Sequence, residues 1–394
     1  MIDVDELAAW LRLLLAPGVG RETARRLLAA FGSPEAVAQA SQAALAEVAG
    51  PRQAAAVKAG PPQIDAQVAA VQRWLAAGSD RHLLALGDAA YPQPLLESPD
   101  PPLLLYVQGD LAALGAASLA IVGSRKPTAQ GLDHARRFAQ AFAEAQLVVV
   151  SGLALGIDGA AHEGALEGGG RTIAVLGTGI DRLYPRRHAE LAARVAAQGA
   201  LVSEFVPGTP PLAENFPQRN RIIAGLSLGT LVVEAALRSG SLITARLANE
   251  AGREVFALPG SIHAEQSRGC HALIRDGAHL VESAAEILDE LRRPSALLQP
   301  PRPRLRAERG AAAGPGDKVD EVDKVDRAAE IGAADDTRAD PLLRAIGHDP
   351  ISLDSLQART GWPTPQLLAH LLELELRGQL VRLPGGLLQR RGLA

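Results

Sequence analysis

Six short apolar runs recur between about residues 80 and 290: SLAIV (118–122), LVVVS (147–151), TIAVL (172–176), ALVS (200–203), TLVV (230–233) and EVFAL (254–258). Each is apolar at consecutive positions, not alternate ones, so both faces of the strand it forms must be covered. Amphipathic helical stretches separate the runs, and parallel strands need crossovers of that kind. The pattern predicts an α/β domain over 80–293, a doubly wound parallel sheet with helices on both sides. LLLYVQG (103–109) is expected to add edge strands to the same sheet.

The flanks read differently. Residues 1–75 carry Leu, Ala and Val at helical spacing broken by Gly and Pro, and APGVGRETARRLLAAFGS (16–33) resembles a helix-hairpin-helix turn. Its Gly18 and Gly20 either expose backbone amides to phosphate or simply punctuate two helices. Residues 294–340 are rich in Pro, Arg, Ala and Gly, then in mixed charge (DKVDEVDKVDR), a composition that reads as a flexible linker. Residues 341–394 read as three short helices and a two-stranded hairpin around Pro-Gly-Gly, the order of a winged helix. Its recognition helix offers Thr364, Gln366 and His370 but no base before Arg377, a weak set for sequence reading that leaves a protein-contact or purely structural role equally open.

With 394 residues, 47% of them apolar, the chain can build at least one sizeable core. The single cysteine, Cys270, excludes an internal disulfide framework and a multi-cysteine zinc site, and points to a reducing, cytoplasmic compartment. MIDVDELAAW has acids where an export signal has bases, and no apolar run approaches the roughly 18 residues of a membrane span. The formal charge is −4, so a polyanion would have to be held by local cations.

Those cations sit where a doubly wound sheet binds its ligands, beyond the carboxyl ends of the strands. Strand ends run into Gly123-Ser124-Arg125, Ser151-Gly152, Gly177-Thr178-Gly179, Ser239-Gly240-Ser241 and Pro259-Gly260-Ser261. Repeated Gly and Ser leave amides and hydroxyls open near helix N-termini, which suits phosphate. Arg125, Arg186, Arg219 and Arg221 accompany them. The first turn, GSRKPTAQG, lacks G-x-G-x-x-G, the second strand lacks a ribose-binding acid, and no P-loop occurs, so neither NAD nor ATP is expected as a cofactor. Asp158, His162 and Glu234 could move a proton or bind a metal. The plainer reading has Asp158 capping a helix or ordering its loop, His162 as its i+4 partner, and Glu234 paired with an arginine of the Arg219-Asn220-Arg221 run. No catalytic or metal set is assigned.

A single strand of nucleic acid fits this inventory, with arginines on successive phosphates and amide pockets fixing register. Stacking platforms are few at 3% aromatic content, chiefly Tyr184, Phe205 and Phe216, with Phe205 expected in the core. In FPQRNRIIAGLS (216–227), one arginine is expected at the rim and the other paired with Glu234 or Glu204, while IIAG anchors the helix.

IVGSR, SGLALGIDGAAH, AVLGTGIDRLYP, FPQRNRIIAGLS, VVEAALRSGSLITARLANEAGREVFALPGS and GCHALIRDGA, in this order, resemble the DNA-processing protein A (DprA, or Smf) family. The match is dense over about 80–290. The resemblance implies a Rossmann-like sheet between a helical, SAM-like domain and a winged helix. It implies a non-catalytic cytoplasmic protein that binds and shields incoming single-stranded DNA and helps load RecA recombinase in natural transformation. By motif, the family's DNA contacts fall on Gly123, Ser124, Arg125, Arg186 and Arg219-Asn220-Arg221. Homodimers are expected through the end of the Rossmann-like domain, with Ile274 and Leu280 as apolar contacts. Where the family often has Lys-Asn after Tyr-Pro, this chain has Arg186-Arg187-His188, replacing a point donor by a planar fork. The alternative is a nucleotide-processing enzyme of the phosphoribohydrolase type. Against it, the P-G-G-x-G-T loop expected before the glutamate is missing: LPGS (258–261) follows Glu234 and Pro-Gly-Gly (384–386) lies in the wing. A duplex-binding regulator acting through the winged helix is the third reading.

Overall fold

The computed structural model describes residues 2–292, 340–347, 350–383 and 386–390. Apart from Asp340, the expected linker lies outside the described residues, as do Pro384 and Gly385 of the wing tip. Six helices open the chain: Val4–Leu14, Arg21–Phe31, Pro34–Gln39, Gln42–Ala49, Pro51–Ala59 and Ile64–Ala76. Short polar side chains start several of them, with Asp3, Ser33 and Ser41 each accepting a first-turn amide. Gly18, at φ +76°, makes the hairpin between the first two.

The central sheet has nine strands: β1 (Arg81–Ala85), β2 (Leu104–Gly109), β3 (Ser118–Val122), β4 (Val148–Ser151), β5 (Thr172–Val175), β6 (Ala200–Ser203), β7 (Gly229–Val232), β8 (Glu254–Ala257) and β9 (His279–Leu280). Their order is β1-β2-β6-β5-β4-β3-β7-β8-β9. The six apolar runs became β3 to β8, all parallel to one another. The segment around 103–109 gives β2, which with β1 continues the sheet antiparallel beyond β6. The chain winds outward from β3 to β6, then returns to place β7 on the other side of β3. The crevice between β3 and β7 is therefore the switch point, where the carboxyl ends of two diverging crossovers leave room for a ligand.

Burial on both faces follows from the composition of the runs. One face packs Leu119, Ile121 and Val149 against Phe138 and Phe142 of the helix Ala129–Glu144. That helix crosses the helix Ile157–Glu167 so closely that a Cβ on Gly164 would lie 2.4 Å from the Arg136 carbonyl oxygen. The N-terminal helices are not a detached unit: their Leu7, Trp10, Leu27 and Trp74 form one core with Leu104 and Tyr106 of β2. Trp74 meets Tyr106 edge-on at 5.9 Å between ring centres.

The last block has helices Pro341–Ile346, Leu353–Thr360 and Thr364–Leu376, then β10 (Leu380–Arg382) paired antiparallel with β11 (Leu388–Arg390). Ile351 bridges to Leu388, completing a winged-helix core around Leu356, Leu367 and Leu371. Its Arg359 reaches Asp133 on the helix Ala129–Glu144 at 2.9 Å.

Candidate nucleic-acid interface

Three loops and one helix meet beyond the carboxyl ends of β3, β4 and β5. Arg125, Gly152, Ala154, Leu155, Tyr184, Pro185, Phe216 and Arg219 line a cleft of about 50 Å³. Clefts that swallow small-molecule ligands start at roughly 300 Å³, so this one suits part of a longer chain passing over it. Phe216 is its centre. The Tyr184 ring lies 5.6 Å away, and the guanidinium carbons of Arg125 and Arg219 lie 5.7 and 5.9 Å from the Phe216 centroid. A half-buried ring flanked by cations can take a base on its face while Arg125, exposed at the edge, meets a phosphate.

The two arginines of the Arg219-Asn220-Arg221 run have separated roles. Arg219 is 4% exposed and donates to the carbonyls of Gly152 and Val175, the ends of two strands. A Cβ on Gly152 would lie 2.4 Å from its guanidinium, so glycine is required there for the arginine to enter. Burial lowers the Arg219 pKa to about 10, against the attraction of Asp158, and the side chain stays charged at neutral pH. Asp158, also buried, accepts from the amides of Gly152 (3.2 Å) and Ala154 (3.3 Å), which orders the loop as expected. Burial raises its pKa and the Arg219 charge opposes that rise. Arg221 binds Glu204 and the Asp100 carboxylate (3.1 Å), with only 10% of its side chain exposed. Of the two partners expected for this run, Glu204 is the one used. As a phosphate contact Arg221 must be withdrawn, because the side chain is nearly buried, with Nη2 donating to Glu204, Nη1 to the Asp100 backbone carbonyl and Nε beside the Asp100 carboxylate. Arg219 is likewise corrected from a rim cation to the buried support under Phe216.

Glu234 instead accepts from the Thr128 amide (2.9 Å) and hydroxyl, and Thr128 caps the helix Ala129–Glu144. This clamp crosses the switch point and fixes the Gly123-Ser124-Arg125 turn. Gly123 is needed there because a Cβ would meet the Glu234 carbonyl at 2.9 Å, and Ser124 Oγ accepts from the Lys126 amide. Asn220 joins Arg219 Nε (3.0 Å) to the Gly240 carbonyl (3.4 Å). Ser239 caps the helix Gly240–Glu250 and Gly240 is open to solvent, whereas Ser241 is buried.

Three proposed anion groups are internal. Ser151 Oγ is buried and donates to the Ile121 carbonyl at 2.6 Å. Gly177 is buried under Phe216, where a Cβ would lie 2.7 Å from the ring, and Gly179 packs against the Val206 carbonyl. The two glycines serve close packing. Arg186, by contrast, is exposed on the turn Arg186–His188 beside Tyr184 and Pro185. Phe205, expected in the core, is only half-buried.

His162 does not pair with Asp158. Its Nδ1 lies 2.7 Å from Thr172 Oγ1, whose own proton goes to the Val149 carbonyl, so Nδ1 carries a hydrogen. Burial pushes its pKa down to about 3. The neutral ring's contribution is whole above pH 6.5 and is lost as pH falls toward 3, because the unfolded chain takes up the proton first. Between pH 7 and 5 this costs about 2 kcal/mol. Urea unfolding at the two pH values should show that loss, and His162→Gln should reduce it.

Cys270 is buried and its thiol is pushed up to about 12 by burial, which removes it as a nucleophile at neutral pH. Among the described residues no group of three or more His, Cys, Asp or Glu could hold a metal, and no helix is long and apolar enough to cross a membrane. Ile274 packs partly against the sheet core, and Leu280, 49% exposed, lies on β9 at the sheet edge.

Comparison with known proteins shows the family and its domains. Residues 82–292 match the model of DNA recombination-mediator protein A, 326–386 the DprA winged helix domain, and 11–59 a SAM-like helix-hairpin-helix tandem. Protein Smf of Escherichia coli is 44% identical over 313 residues, 79% of this chain and 78% of that protein. DNA processing protein DprA of Streptococcus pneumoniae is 49% identical over 203 residues, 52% of this chain and 72% of that protein. The X-ray structure of S. pneumoniae DprA superimposes with a TM-score of 0.64 at 38% identity, covering 73% of this chain and 98% of that one. With the switch-point crevice, the flanking domains and the full set of motifs in one polypeptide, the chain belongs to the DNA recombination-mediator protein A family.

Proposed function

We propose that the protein binds single-stranded DNA along the carboxyl edge of its parallel sheet, protects incoming strands, and helps load RecA recombinase on them, without catalysis. The observation that carries this reading is the cleft around Phe216: an aromatic face with a solvent-exposed Arg125 on its rim and Arg186 on the adjoining turn. That combination stacks any base and meets any phosphate, so it needs no sequence. The contact set comprises Gly123, Ser124, Arg125, Gly152, Arg186, Asn220, Ser239 and Gly240, with Phe216 added. Ser151, Gly177, Gly179, Ser241 and Arg219 support it from within.

Glu234, the residue a phosphoribohydrolase would use, is engaged by Thr128 at the foot of a helix, which favours the binding role. The winged helix carries Leu368, Leu372 and Leu376 exposed on its third helix, an unfavourable face for a DNA groove. A cytoplasmic homodimer joined at the β9 edge through Ile274 and Leu280 completes the proposal.

Phe216→Ala should weaken binding of oligothymidylate by about 1–3 kcal/mol, the usual worth of one stacked base. Fluorescence anisotropy at fixed salt measures it. An unchanged affinity would remove Phe216 from the interface. Competition by duplex of equal length should be weak, and a preference for duplex would favour the winged-helix reading.

A further inference from the structure

The N-terminal helical domain is attached to the sheet twice, by different chemistry. One attachment is apolar, the shared core at Trp74 and Tyr106. The other is ionic and centres on Asp100, in the loop before β2. Its carboxylate accepts hydrogen bonds from Arg21 Nε (2.9 Å) and Arg25 of the helix Arg21–Phe31, and forms an ion pair with Arg221 of the helix Asn215–Leu226 (3.1 Å), whose Nη1 donates to the Asp100 backbone carbonyl. Arg21 Nη1 also donates to Gln218 Oε1 at 3.0 Å. Burial works against the Asp100 charge, but the surrounding arginines, Arg221 foremost, hold its pKa below the usual carboxylate value.

Three guanidinium groups converging on one carboxylate repel each other, so the arrangement persists only because packing holds both helices in place. The apolar attachment already secures the domain. What the ionic one adds lies on the other side: Gln218 and Arg221 belong to the helix that begins Asn215-Phe216 and carries Arg219. That helix has no side-chain cap at Glu214, and Pro217 occupies its first turn. A first turn without its own cap takes its orientation from outside contacts. Beside the bonds of Arg219 to the strand-end carbonyls and of Arg221 to Glu204, the contacts that tie this helix to the loop before β2 and to the N-terminal domain are Gln218 to Arg21, and Arg221 to Asp100.

We infer that Arg21 and Arg25 are positioning residues for the single-strand cleft, acting through Asp100 and Gln218 to fix the helix that carries Phe216. The inference rests on the single-strand reading above. The N-terminal domain then tunes affinity without touching the DNA.

A double-mutant cycle on the full chain tests this. Arg21→Ala with Arg25→Ala should weaken oligothymidylate binding about fivefold, and by less than about twofold in a Phe216→Ala background, because both changes act on one element. Arg21→Lys with Arg25→Lys should recover part of the loss. Gln218→Ala, made from the sheet side, should reproduce part of it independently of how the N-terminal helices tolerate substitution. Equal losses in both backgrounds would mean that the N-terminal domain meets DNA directly, and no loss would mean that the hub is purely structural. Either result overturns the inference. Failure of the unmodified chain to bind oligothymidylate would refute the single-strand reading itself, and this inference with it.

Discussion

Arg219→Met, a change in the buried support of the cleft, should destabilise the chain by about 3–5 kcal/mol, more than any single change at the exposed rim. The arginine is 4% exposed, and its removal leaves the Gly152 and Val175 carbonyls without their donor and takes away the positive charge that opposes the cost of burying Asp158. The cost is that of an orphaned charge, not of a surface interaction. Adding Asp158→Asn should therefore recover part of it, since the second change removes the stranded carboxylate while keeping an acceptor for the Gly152 and Ala154 amides. Urea unfolding at pH 7 measures both. A loss under about 1 kcal/mol would show that the guanidinium is not the keystone the geometry makes it.

Arg125→Ala with Arg186→Ala should act on binding and leave stability nearly unchanged, because both side chains are exposed. Removing two charge-assisted hydrogen bonds to phosphate at once corresponds to roughly a hundredfold in affinity at low salt. The slope of log affinity against log salt should become shallower by about 1.4, since single strands release about 0.7 counterion per neutralised phosphate. Anisotropy titrations with oligothymidylate from 50 to 300 mM salt, on the order of the range over which counterion release dominates, give both numbers. An unaltered slope would take these two arginines out of the phosphate track.

The contrast between these substitutions shows what the sequence revealed and what it concealed. Strands β3 to β8 were legible because runs such as SLAIV and TIAVL cannot be solvated on either face, and burial on both sides admits few architectures. The rim was legible as chemistry, since Gly, Ser and Arg gather at strand ends. It was not legible as geometry. Whether a strand-end glycine faces a ligand or a neighbour depends on what the next crossover brings: Gly177 lies under Phe216, thirty-nine positions on in the chain, and Gly152 under Arg219. Arg219 and Arg221 are two residues apart on one helix and so point to different sides, which is why one supports the cleft and the other joins Asp100. Asp100 itself carries no local signal. Its role appears only when Arg21, Arg25 and Arg221, distant in sequence, converge on it. The two-residue strand β9 and the pairing of His162 with Thr172 were hidden for the same reason, each being set by tertiary neighbours and not by spacing.

Hydrogen exchange of the full chain with and without oligothymidylate tests the central claim most directly. The account predicts slowed exchange in the loops 123–128, 152–156 and 184–188 and at the start of the helix Asn215–Leu226, on one edge of the sheet. Protection confined to the winged helix or to the N-terminal hairpin, with those four segments unchanged, would contradict it.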